Sequence, residues 1–594
     1  MTPNRATLWG RTIVEELAAS GVEAACIAPG SRSTPLTVAF DDHPDVETFS
    51  ILDERSAAFF ALGRGRRSGV PTAVVCTSGT AAANFHPAVV EASQSRVPMV
   101  VLTADRPAEL RDSGANQTID QAGLYGDAVR RERTLPEPAP EPRRLRSLRV
   151  TVDRAVAKAT GADPGPVHLN VPVAKPLEPT EAPGDVPDSL PEDAPLGAGG
   201  RDGPFVATSR GTPTPPSGAL DDLAAALADA DRGLLVAGPT NPGRIDPDAV
   251  ASFLDAAGVP LLADPLSGLR FGPVVEGRLV CGGYDAYVSS DDWPDPDVVV
   301  RVGASPTSKP LRKHLRDADA RQVVVDPAGD WPEAEFTATD HVEADTSATL
   351  SGLATRLDRG DGTGRAAATD VWRDRFASAE RAHWDVTGAG RAERFFEGSV
   401  LATVVEEAPD PATLFVSNSM PVRDSDRFGR PRPVDLTVLG NRGASGIDGI
   451  TSTALGAGSA TADPLVLVTG DLAYYHDMNG LLSVTRCGVD ATIVLVNNDG
   501  GGIFHKLPIE SFDPPFTEQF RTPHGLDFEP SADLYGLEFR RVEDADPFAE
   551  AYRDSLGRSG TQVVEARVDA ESSHRFRERL RDRLHDRLGD SPGE

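Results

Sequence analysis

The chain has 594 residues, a mass of 62.7 kDa and a formal net charge of −31 at pH 7. A single hydrophobic core rarely grows beyond about 300 residues, so this length predicts several domains. The acidic balance excludes a nucleic-acid-binding surface, which needs a basic footprint, and no run approaches the roughly 18 apolar residues of a membrane span. The N-terminal stretch also lacks the apolar centre of a signal peptide, so we expect a cytoplasmic globular protein.

Lysine is rare in this sequence, and arginine supplies nearly all the positive charge. An acidic, lysine-poor surface is a common adaptation to a salt-rich cytosol, where dissolved ions screen its self-repulsion. We therefore expect a halophilic protein. The four cysteines are far apart and form no C-x-x-C pair, which predicts neither a zinc site nor a disulfide framework.

Between Thr7 and Pro176, apolar runs of four to seven residues alternate with helical patterns. The strand-like runs are AACIAPG, ETFSILDE, TAVVCTSG and PMVVLTAD. Such alternation predicts a parallel sheet covered by helices on both faces, with the polar strand ends facing a common crevice. We assign residues 1–180 to a first α/β domain.

Two further α/β domains follow a segment rich in Pro, Gly and Asp. Residues 181–218 predict a linker that buries little apolar surface. The runs RGLLVAG, VPLLADPLSG, DVVVRVGAS and RQVVVDPAG predict a central domain over 219–364, which ends at the break GDGTG. The runs ATLFVSNS, VDLTVLGNRGASG, PLVLVTGD, ATIVLVNND and TQVVEARVD predict a third doubly wound domain over 365–594. The final segment, RFRERLRDRLHDRL, predicts a solvated amphipathic end helix.

The third domain contains a pair of polar strand ends. PLVLVTGD ends in Gly470 and Asp471, and ATIVLVNND reaches Asn498 after 27 further residues. With LAYYHDMNGLLSVTRCG as the crossover helix, both side chains emerge at one edge of the sheet. A carboxylate, an amide oxygen and a carbonyl of the following Gly-rich turn suit Mg²⁺, and Gly470 lets a phosphate approach the backbone. The alternative is an ordinary helix cap followed by an ordinary turn.

The full GD-to-NN pattern resembles the diphosphate and magnesium motif of thiamine diphosphate enzymes. The resemblance implies thiamine diphosphate and Mg²⁺ or Mn²⁺ as cofactors. It also implies a glutamate in the first domain that hydrogen-bonds the aminopyrimidine ring and so promotes loss of the thiazolium proton. Glu54 in FSILDERSAAFF occupies that place, and a helix-start carboxylate is the alternative. The implied metal ligands are Asp471, Asn498 and Gly500; the other implied cofactor contacts are Ser419, Ile447, Gly470 and Leu472, with Ile447 as the apolar wedge that bends the cofactor.

Five stretches resemble signatures of the 2-succinyl-5-enolpyruvyl-6-hydroxy-3-cyclohexene-1-carboxylate synthase family. They are CIAPGSRSTPL (26–36), LTADRPAELRDSGANQTIDQ (102–121), SNSMPVRD (417–424), GNRGASGIDG (440–449) and NNDGGGIFHKLP (497–508). This resemblance implies a pyrimidine-binding first domain and a diphosphate-binding third domain. It further implies decarboxylation of 2-oxoglutarate and 1,4-addition of the acyl-anion equivalent to isochorismate, in menaquinone biosynthesis. Because family sites form where the first domain of one subunit meets the third of another, a homodimer or homotetramer is expected.

Both substrates carry two carboxylates, so an acidic protein needs a local set of cations, and the arginine fork suits carboxylates. Arg32, Arg106, Arg423 and Arg442 all fall in strand-end loops, although each one alone could be a surface ion pair. By resemblance, the substrate site comprises Ser31, Arg32, Arg106, Asn116, Gln117, Lys309, Ser419, Arg423, Arg442, Ile503 and Phe504. The implied catalytic residues are Glu54, Gln117, Arg32 and Arg423. Pro310 stands where the family has an arginine, and Arg312 or Lys313 is the candidate replacement.

Two other functions fit parts of the sequence. Another thiamine diphosphate-dependent decarboxylase or carboligase would use pyruvate and would leave the arginine set unexplained. A catalytically silent scaffold of the same fold would have no use for Glu54, Asp471 and Asn498. Three histidines, His86, His476 and His505, are expected to be structural, because the cofactor supplies its own base.

Overall fold

A computed structural model describes residues 2–358 and 366–589 of the chain. It contains three six-stranded sheets whose paired strands all run parallel. Central strands such as Thr72–Cys76 and Val298–Val302 are buried along their whole length, as a sheet covered by helices on both faces requires. The predicted α/β class with three doubly wound sheets is confirmed.

The first sheet is formed by the N-terminal part of the chain. Its strands are β1 (Ala24–Ile27), β2 (Glu47–Ser50), β3 (Thr72–Cys76), β4 (Met99–Asp105), β5 (Arg131–Thr134) and β6 (Pro166–Pro172). The helices of this part are α1 (Arg5–Ala19), α2 (Thr34–Asp41), α3 (Glu54–Ser68), α4 (Thr80–Asn84), α5 (His86–Gln94), α6 (Pro142–Ala159), α7 (Leu190–Asp193) and α8 (Pro195–Ala198). The spatial order is β2-β1-β3-β4-β6-β5.

The second sheet has a different order, β12-β11-β10-β7-β8-β9. Its strands are β7 (Gly233–Ala237), β8 (Leu261–Ala263), β9 (Val280–Cys281), β10 (Val298–Val302), β11 (Arg321–Val325) and β12 (Asp340–Val342). The helices here are α9 (Ser217–Asp229), α10 (Pro247–Ala257), α11 (Tyr284–Tyr287), α12 (Lys309–Asp317) and α13 (Thr346–Leu357).

The third sheet repeats the order of the first, as β14-β13-β15-β16-β18-β17. Its strands are β13 (Ala412–Val416), β14 (Leu436–Leu439), β15 (Leu465–Gly470), β16 (Thr492–Asn497), β17 (Glu538–Val542) and β18 (Gln562–Arg567). Its helices are α14 (Ala366–Glu393), α15 (Glu397–Glu406), α16 (Met420–Phe428), α17 (Ile450–Gly458), α18 (Asp471–His476), α19 (Leu482–Cys487), α20 (Glu529–Tyr535), α21 (Ala545–Leu556) and α22 (Ala570–Gly589).

The described residues group into two compact units. The first contains the chain up to Arg210 together with Asn441–Ala462 and His476–Val489, and the second contains the rest. The domain boundaries 1–180, 219–364 and 365–594 therefore remain a prediction, and the border at GDGTG lies outside the described residues. Within the proposed linker, Leu190 and Ala194 are buried in the core of the first unit.

Two predicted helices differ from the structure. The crossover between β15 and β16 is not one helix but α18, a 3₁₀ segment at Met478–Leu481 and α19. The crossover helix is interrupted at the buried Asp477, whose carboxylate accepts a hydrogen bond from the backbone N–H of Ser452 at 2.7 Å. The C-terminal helix α22 is not solvated all round, because Phe576, Arg577 and Leu580 are buried.

Among residues 2–358 and 366–589, no helix combines the length and the apolar character needed to cross a membrane.

Candidate active site

Asp471 lies where β15 ends, with 2% of its surface exposed, and its carboxylate fixes the turn after the neighbouring strand β16. Its Oδ2 accepts hydrogen bonds from the backbone N–H groups of Asn498, at 3.1 Å, and Gly500, at 3.0 Å. Its Oδ1 accepts from the N–H of Leu472 at 2.7 Å. Burial raises the pKa of Asp471. The structure thus brings the three residues of the predicted metal site together, and a carboxylate keeps further lone pairs for a cation.

Of the two polar atoms in the side-chain amide of Asn498, the nitrogen is hydrogen-bonded within the described part of the chain and the oxygen is not. Its Nδ2 donates to Oε1 of Glu397 at 2.6 Å, while its Oδ1 is buried without a hydrogen-bond partner among the described residues. Beside Gly470 a Cβ atom would meet nothing within 4 Å, so the backbone there is open to a ligand. An unpaired amide oxygen and an open glycine backbone next to a carboxylate fit a metal-bound diphosphate.

Gly500 has a backbone φ of 134°, which residues with a side chain rarely adopt. A Cβ atom at this position would lie 2.1 Å from the carbonyl oxygen of Arg521. Only glycine fits this turn. In the described part of the chain, no group of three or more His, Cys, Asp or Glu residues could hold a metal ion. The predicted metal site differs from such clusters because it has a single carboxylate and relies on amide and carbonyl oxygens.

A residue that sequence reasoning missed, His524, adjoins this site. Its Nε2 lies 3.3 Å from Oδ2 of Asp471, and its Nδ1 accepts a hydrogen bond from the N–H of Leu526 at 2.9 Å. Because Nδ1 is an acceptor, the neutral ring carries its proton on Nε2, which faces Asp471. Asp499 accepts from the N–H groups of His524 and Gly525 and so holds the histidine turn in place. The sequence offered no spacing that linked His524 to Asp471.

Ser419 and Arg423 lie at the start of α16, which follows β13 in the same sheet. Ser419 has a left-handed backbone with φ of 69°, and its carbonyl accepts a hydrogen bond from the guanidinium of Arg423. Ile503 and Phe504 follow β16 in a 3₁₀ segment, and both are half-buried. The ring of Phe504 packs edge-on against Phe520, with 5.5 Å between centroids. These four predicted substrate residues therefore all follow strands of the third sheet.

Lys309 is the first residue of α12 and is exposed. Pro310 follows it in the first turn, where the family resemblance had implied an arginine. Of the two candidate replacements, Arg312 lies 3.8 Å from the carboxylate of Glu335, whereas Lys313 is exposed. Their contact with a substrate remains a prediction.

Glu54 is the first residue of α3 in the first unit and is half-buried. Its neighbour Asp53 caps the helix, since Oδ1 of Asp53 accepts from the N–H groups of Arg55, at 2.9 Å, and Ser56, at 3.4 Å. Glu54 is therefore not needed as the cap. Burial, and then the charge of Glu54, raise the pKa of the Cys76 thiol at the end of β3, which places the two side chains near each other.

Arg32 and Arg106 form a cationic pair at the ends of β1 and β4. Arg32 is buried and donates to the carbonyl of Val173 at 2.7 Å; burial and then the charge of Arg106 lower its pKa. Arg106 donates through Nη2 to the carbonyl of Asn116 at 2.9 Å, and its Nε finds no partner among the described residues. Two neighbouring guanidiniums attract a carboxylate.

Ser31 directly precedes Arg32, and Gln117 lies in the loop that follows Arg106. Both residues are exposed. Gln117 has a left-handed φ of 54°, and its carbonyl accepts a hydrogen bond from Oγ of Ser78 at 3.0 Å. The bond ties the loop after β4 to the loop after β3. The structure thus brings the loops of Ser31, Arg32, Arg106, Asn116 and Gln117 to one edge of the first sheet.

The loop with Arg442 and Ile447 belongs to the first unit, and both residues are half-buried. Buried Glu91, which sequence reasoning missed, holds this loop: its two oxygens accept from the N–H groups of Gly443, at 2.9 Å, and Ala444, at 2.6 Å. Glu91 in turn pairs with Arg66 at 3.0 Å. A charged anchor on α5 thus fixes the predicted wedge loop.

After this loop, α17 packs against α3 at backbone distance. A Cβ at Gly63 would lie 1.9 Å from the carbonyl oxygen of Thr453, and one at Gly456 would lie 2.0 Å from that of Phe60. A Cβ at Gly449 would meet the ring of Phe59 at 2.0 Å. These glycines join the loop of Ile447 rigidly to the helix that begins at Glu54.

A cavity of about 320 Å³ lies between α5 and this loop in the first unit. It is lined by Phe59, His86, Pro87, Val90, Glu91, Asn441, Ala444, Gly446 and Asp448. None of these is among the predicted site residues.

The three histidines expected to be structural each have a structural contact. His86 packs edge-on against Tyr125 with centroids 5.6 Å apart, and Nδ1 of His476 lies 3.4 Å from the guanidinium of Arg55. Nδ1 of His505 lies 2.7 Å from Glu510.

Comparison with known proteins adds a second line of observation to this geometry. The N-terminal TPP binding domain of thiamine pyrophosphate enzymes matches residues 9–124, and the C-terminal TPP binding domain matches 435–566. Three proteins named 2-succinyl-5-enolpyruvyl-6-hydroxy-3-cyclohexene-1-carboxylate synthase are similar over nearly the full length. The protein of Haloarcula marismortui is 62% identical over 586 residues (97% of each chain). That of Halobacterium salinarum is 62% identical over 579 residues (97% of this chain, 98% of the relative). That of Roseiflexus castenholzii is 47% identical over 579 residues (96% and 97%).

The chain belongs to this synthase family. This chain matches both thiamine pyrophosphate (thiamine diphosphate) domains: the first match contains Glu54, and the second contains Asp471 and Asn498. The family and the enzyme class predicted from sequence, a thiamine diphosphate-dependent transferase, are confirmed. The roles of individual site residues remain predictions.

Proposed function

We propose that the protein decarboxylates 2-oxoglutarate and adds the resulting acyl unit to isochorismate in a 1,4 fashion. The products are 2-succinyl-5-enolpyruvyl-6-hydroxy-3-cyclohexene-1-carboxylate and CO₂, in menaquinone biosynthesis. The observation that carries this proposal is full-length similarity to synthases of that name, at up to 62% identity. Bound thiamine diphosphate supplies the electron sink for loss of CO₂ and the nucleophilic equivalent of an acyl anion.

The residues proposed to hold the cofactor lie in both units. Asp471, the Oδ1 of Asn498 and the carbonyl of Gly500 bind Mg²⁺ or Mn²⁺, and Ser419, Gly470 and Leu472 adjoin the diphosphate. In favour of this assignment, Oδ1 of Asn498 is buried without a described partner, and the backbone beside Gly470 is open. Glu54 binds the aminopyrimidine ring, and Ile447 keeps the two rings of the cofactor close together.

The substrate site is proposed to rely on arginine. Arg32 and Arg106 supply one pair of guanidiniums, and Arg423 and Arg442 each supply further positive charge for the substrate carboxylates. Burial, and then repulsion from Arg106, lower the pKa of Arg32, and a substrate carboxylate beside the two guanidiniums would relieve that repulsion. The remaining proposed contacts are Ser31, Asn116, Gln117, Lys309, Ser419, Ile503 and Phe504.

We propose that the active form is a homodimer or homotetramer with sites between subunits. Sedimentation with and without thiamine diphosphate and Mg²⁺ tests this: an active monomer contradicts it. The proposed substrates are charged and water-soluble, so we expect the reaction to occur in the cytoplasm, which cell fractionation checks.

The function is tested by isochorismate consumption with purified protein at high salt, in the presence of Mg²⁺, thiamine diphosphate and 2-oxoglutarate. Each component is omitted in turn. We expect isochorismate loss that requires all three. Release of CO₂ from pyruvate instead of 2-oxoglutarate, or release from 2-oxoglutarate without isochorismate loss, would retain the cofactor but overturn the substrate assignment.

A further inference from the structure

A charged cluster is buried in the second unit, away from solvent. Arg577 of α22 is 5% exposed, and its Nε donates to Oδ1 of Asp424 at 2.7 Å. Its Nη2 donates to Oε2 of Glu397, which is 2% exposed. Removing such charges from water is costly, and a buried ion pair often stabilises a fold no better than apolar residues of the same volume. The cluster is therefore a candidate for a role other than stabilising the fold.

The cluster continues to the predicted metal site through Glu397. While one oxygen of Glu397 accepts from Arg577, the other accepts from Nδ2 of Asn498 at 2.6 Å. A carboxylate can only accept hydrogen bonds here, so the NH₂ half of the Asn498 amide has to face Glu397. The Oδ1 half consequently faces the opposite side, where it has no hydrogen-bond partner among the described residues.

The neighbouring asparagine makes the same contact with a different result. Nδ2 of Asn497 donates to Oε1 of Glu565, also at 2.6 Å, and Glu565 is fully buried. However, Oδ1 of Asn497 accepts from the N–H of Asp499 at 3.1 Å. Both halves of the Asn497 amide are thus satisfied within the protein, whereas Asn498 keeps an oxygen for a ligand.

We propose that Glu397, anchored by Arg577, is a positioning residue that holds the Asn498 amide with its oxygen toward the metal ion. This inference rests on the metal site of the proposed function. An amide rotated by 180° would present its NH₂ group to the cation, and the cation would lose a ligand. Partners that orient metal ligands in this way typically contribute about 10- to 100-fold to metal affinity.

The test is the Glu397→Gln variant, with Glu565→Gln as its matched control. In Glu397→Gln, the strong donor Arg577 draws the Gln oxygen, so the Gln NH₂ faces Asn498 and forces its amide to rotate. Mn²⁺ affinity is measured by electron paramagnetic resonance of the unbound ion, at saturating thiamine diphosphate. We expect binding about tenfold weaker or more in Glu397→Gln, and within about twofold of wild type in Glu565→Gln. Thermal unfolding of both variants without metal measures the purely structural cost.

A double variant makes the test independent of folding losses. In Glu397→Gln combined with Asn498→Asp, the Gln NH₂ donates to one oxygen of the introduced carboxylate, and the other oxygen again faces the metal. We expect Mn²⁺ affinity in the double variant to exceed that of Glu397→Gln and to return to within about threefold of wild type. The proposal is overturned if Glu397→Gln binds Mn²⁺ like wild type, if Glu565→Gln weakens binding equally, or if the double variant shows no recovery. Failure of the wild-type protein itself to bind Mn²⁺ would instead overturn the proposed metal site, and this inference with it.

Discussion

The first and third sheets share one strand order, so β3 and β4 of the first correspond to β15 and β16 of the third. Asp471 and Asn498 follow β15 and β16, whereas Ser78 follows β3 and Asp105 ends β4. Both sheets thus present polar groups at equivalent strand ends, as parallel sheets commonly do. Their hydrogen-bond partners nevertheless differ.

Both carboxylate oxygens of Asp105 accept hydrogen bonds from fixed donors of the protein. Its Oδ2 accepts from Nδ2 of Asn170 at 2.8 Å and lies 3.2 Å from Arg111, and its Oδ1 accepts from the N–H of Arg106 at 2.7 Å. At the matching end of the third sheet, Oδ1 of Asn498 lacks a described partner. Topology thus supplies polar strand ends in both sheets, whereas a buried oxygen unsatisfied by any described residue, which Asn498 has and Asp105 lacks, indicates an end prepared for a cation.

Neutralising Asp471 and Asp105 in turn should produce the largest difference between the two sheets. Asp471→Asn removes the only carboxylate of the proposed metal site, so Mn²⁺ affinity should fall by about 100-fold or more, beyond the loss for an outer partner. Asp105→Asn should leave Mn²⁺ binding unchanged and lower the free energy of unfolding by about 1–3 kcal/mol. Electron paramagnetic resonance titrations measure Mn²⁺ binding, and denaturant unfolding measures the free energy of unfolding. Equal loss of Mn²⁺ binding in both variants would contradict the distinction.

The next largest effect concerns the first unit alone. Glu54→Gln keeps the shape of the side chain but cannot exchange a proton with the cofactor ring. We expect exchange of the thiazolium proton with deuterium to slow by about 100-fold or more, with Mn²⁺ affinity unaltered. Proton magnetic resonance after acid quench measures the exchange. Exchange at the wild-type rate would remove Glu54 from the mechanism.

Arg423→Ala tests whether the third sheet also binds substrate. A hydrogen bond to a charged group contributes about 1.5–3 kcal/mol, so kcat/KM for 2-oxoglutarate should fall about 10- to 100-fold. A 2-oxoacid with one carboxylate, such as pyruvate, serves as the internal control and should lose no more than about threefold. Equal losses for both acids would show that Arg423 supports only the fold, for example through its bond to the carbonyl of Ser419.

The last expected effect is a pH dependence of the stability of the first unit. Burial raises the pKa of Asp477 from 3.8 to about 6. Between those values the folded chain holds a proton that the unfolded chain has lost, so this group makes stability fall as pH rises from about 4 to 6. The loss amounts to at most about 3 kcal/mol and stays constant above that range.

Asp477→Asn should remove this slope. Denaturant unfolding of wild type and variant at pH 4.5 and pH 7 gives the difference, with all other titrating groups in common. Parallel pH profiles for the two proteins would show that Asp477 titrates as it does in the unfolded chain.

Most of the fold could be predicted from sequence because buried parallel strands are apolar runs. The strands that were not predicted are chiefly edge strands, such as Arg131–Thr134 and Glu538–Val542. An edge strand pairs with a neighbouring strand on one side only, and its residues can therefore be polar. Another, Pro166–Pro172, lies inside its sheet but begins and ends with proline, a residue that argues against a central strand.

The candidate site likewise contains residues that could be predicted from sequence and residues that could not. Asp471, Asn498 and Gly500 share one local pattern, so their proximity could be predicted from the register of two adjacent strands. Glu397 and Arg577 could not be found, since they meet Asn498 only when two helices distant in sequence pack together. Tertiary contacts of this kind leave no spacing in the sequence.

The close contact between α3 and α17 restricts how this enzyme can diversify. Gly63, Gly449 and Gly456 have no room for even one methyl group, so a lineage cannot shift the loop of Ile447 by gradual changes at that contact. The side chain at position 447, in contrast, is only half-buried. Natural variation and laboratory selection for cofactor analogues of altered size should therefore concentrate on the side chain at 447 and leave its three glycine neighbours unchanged.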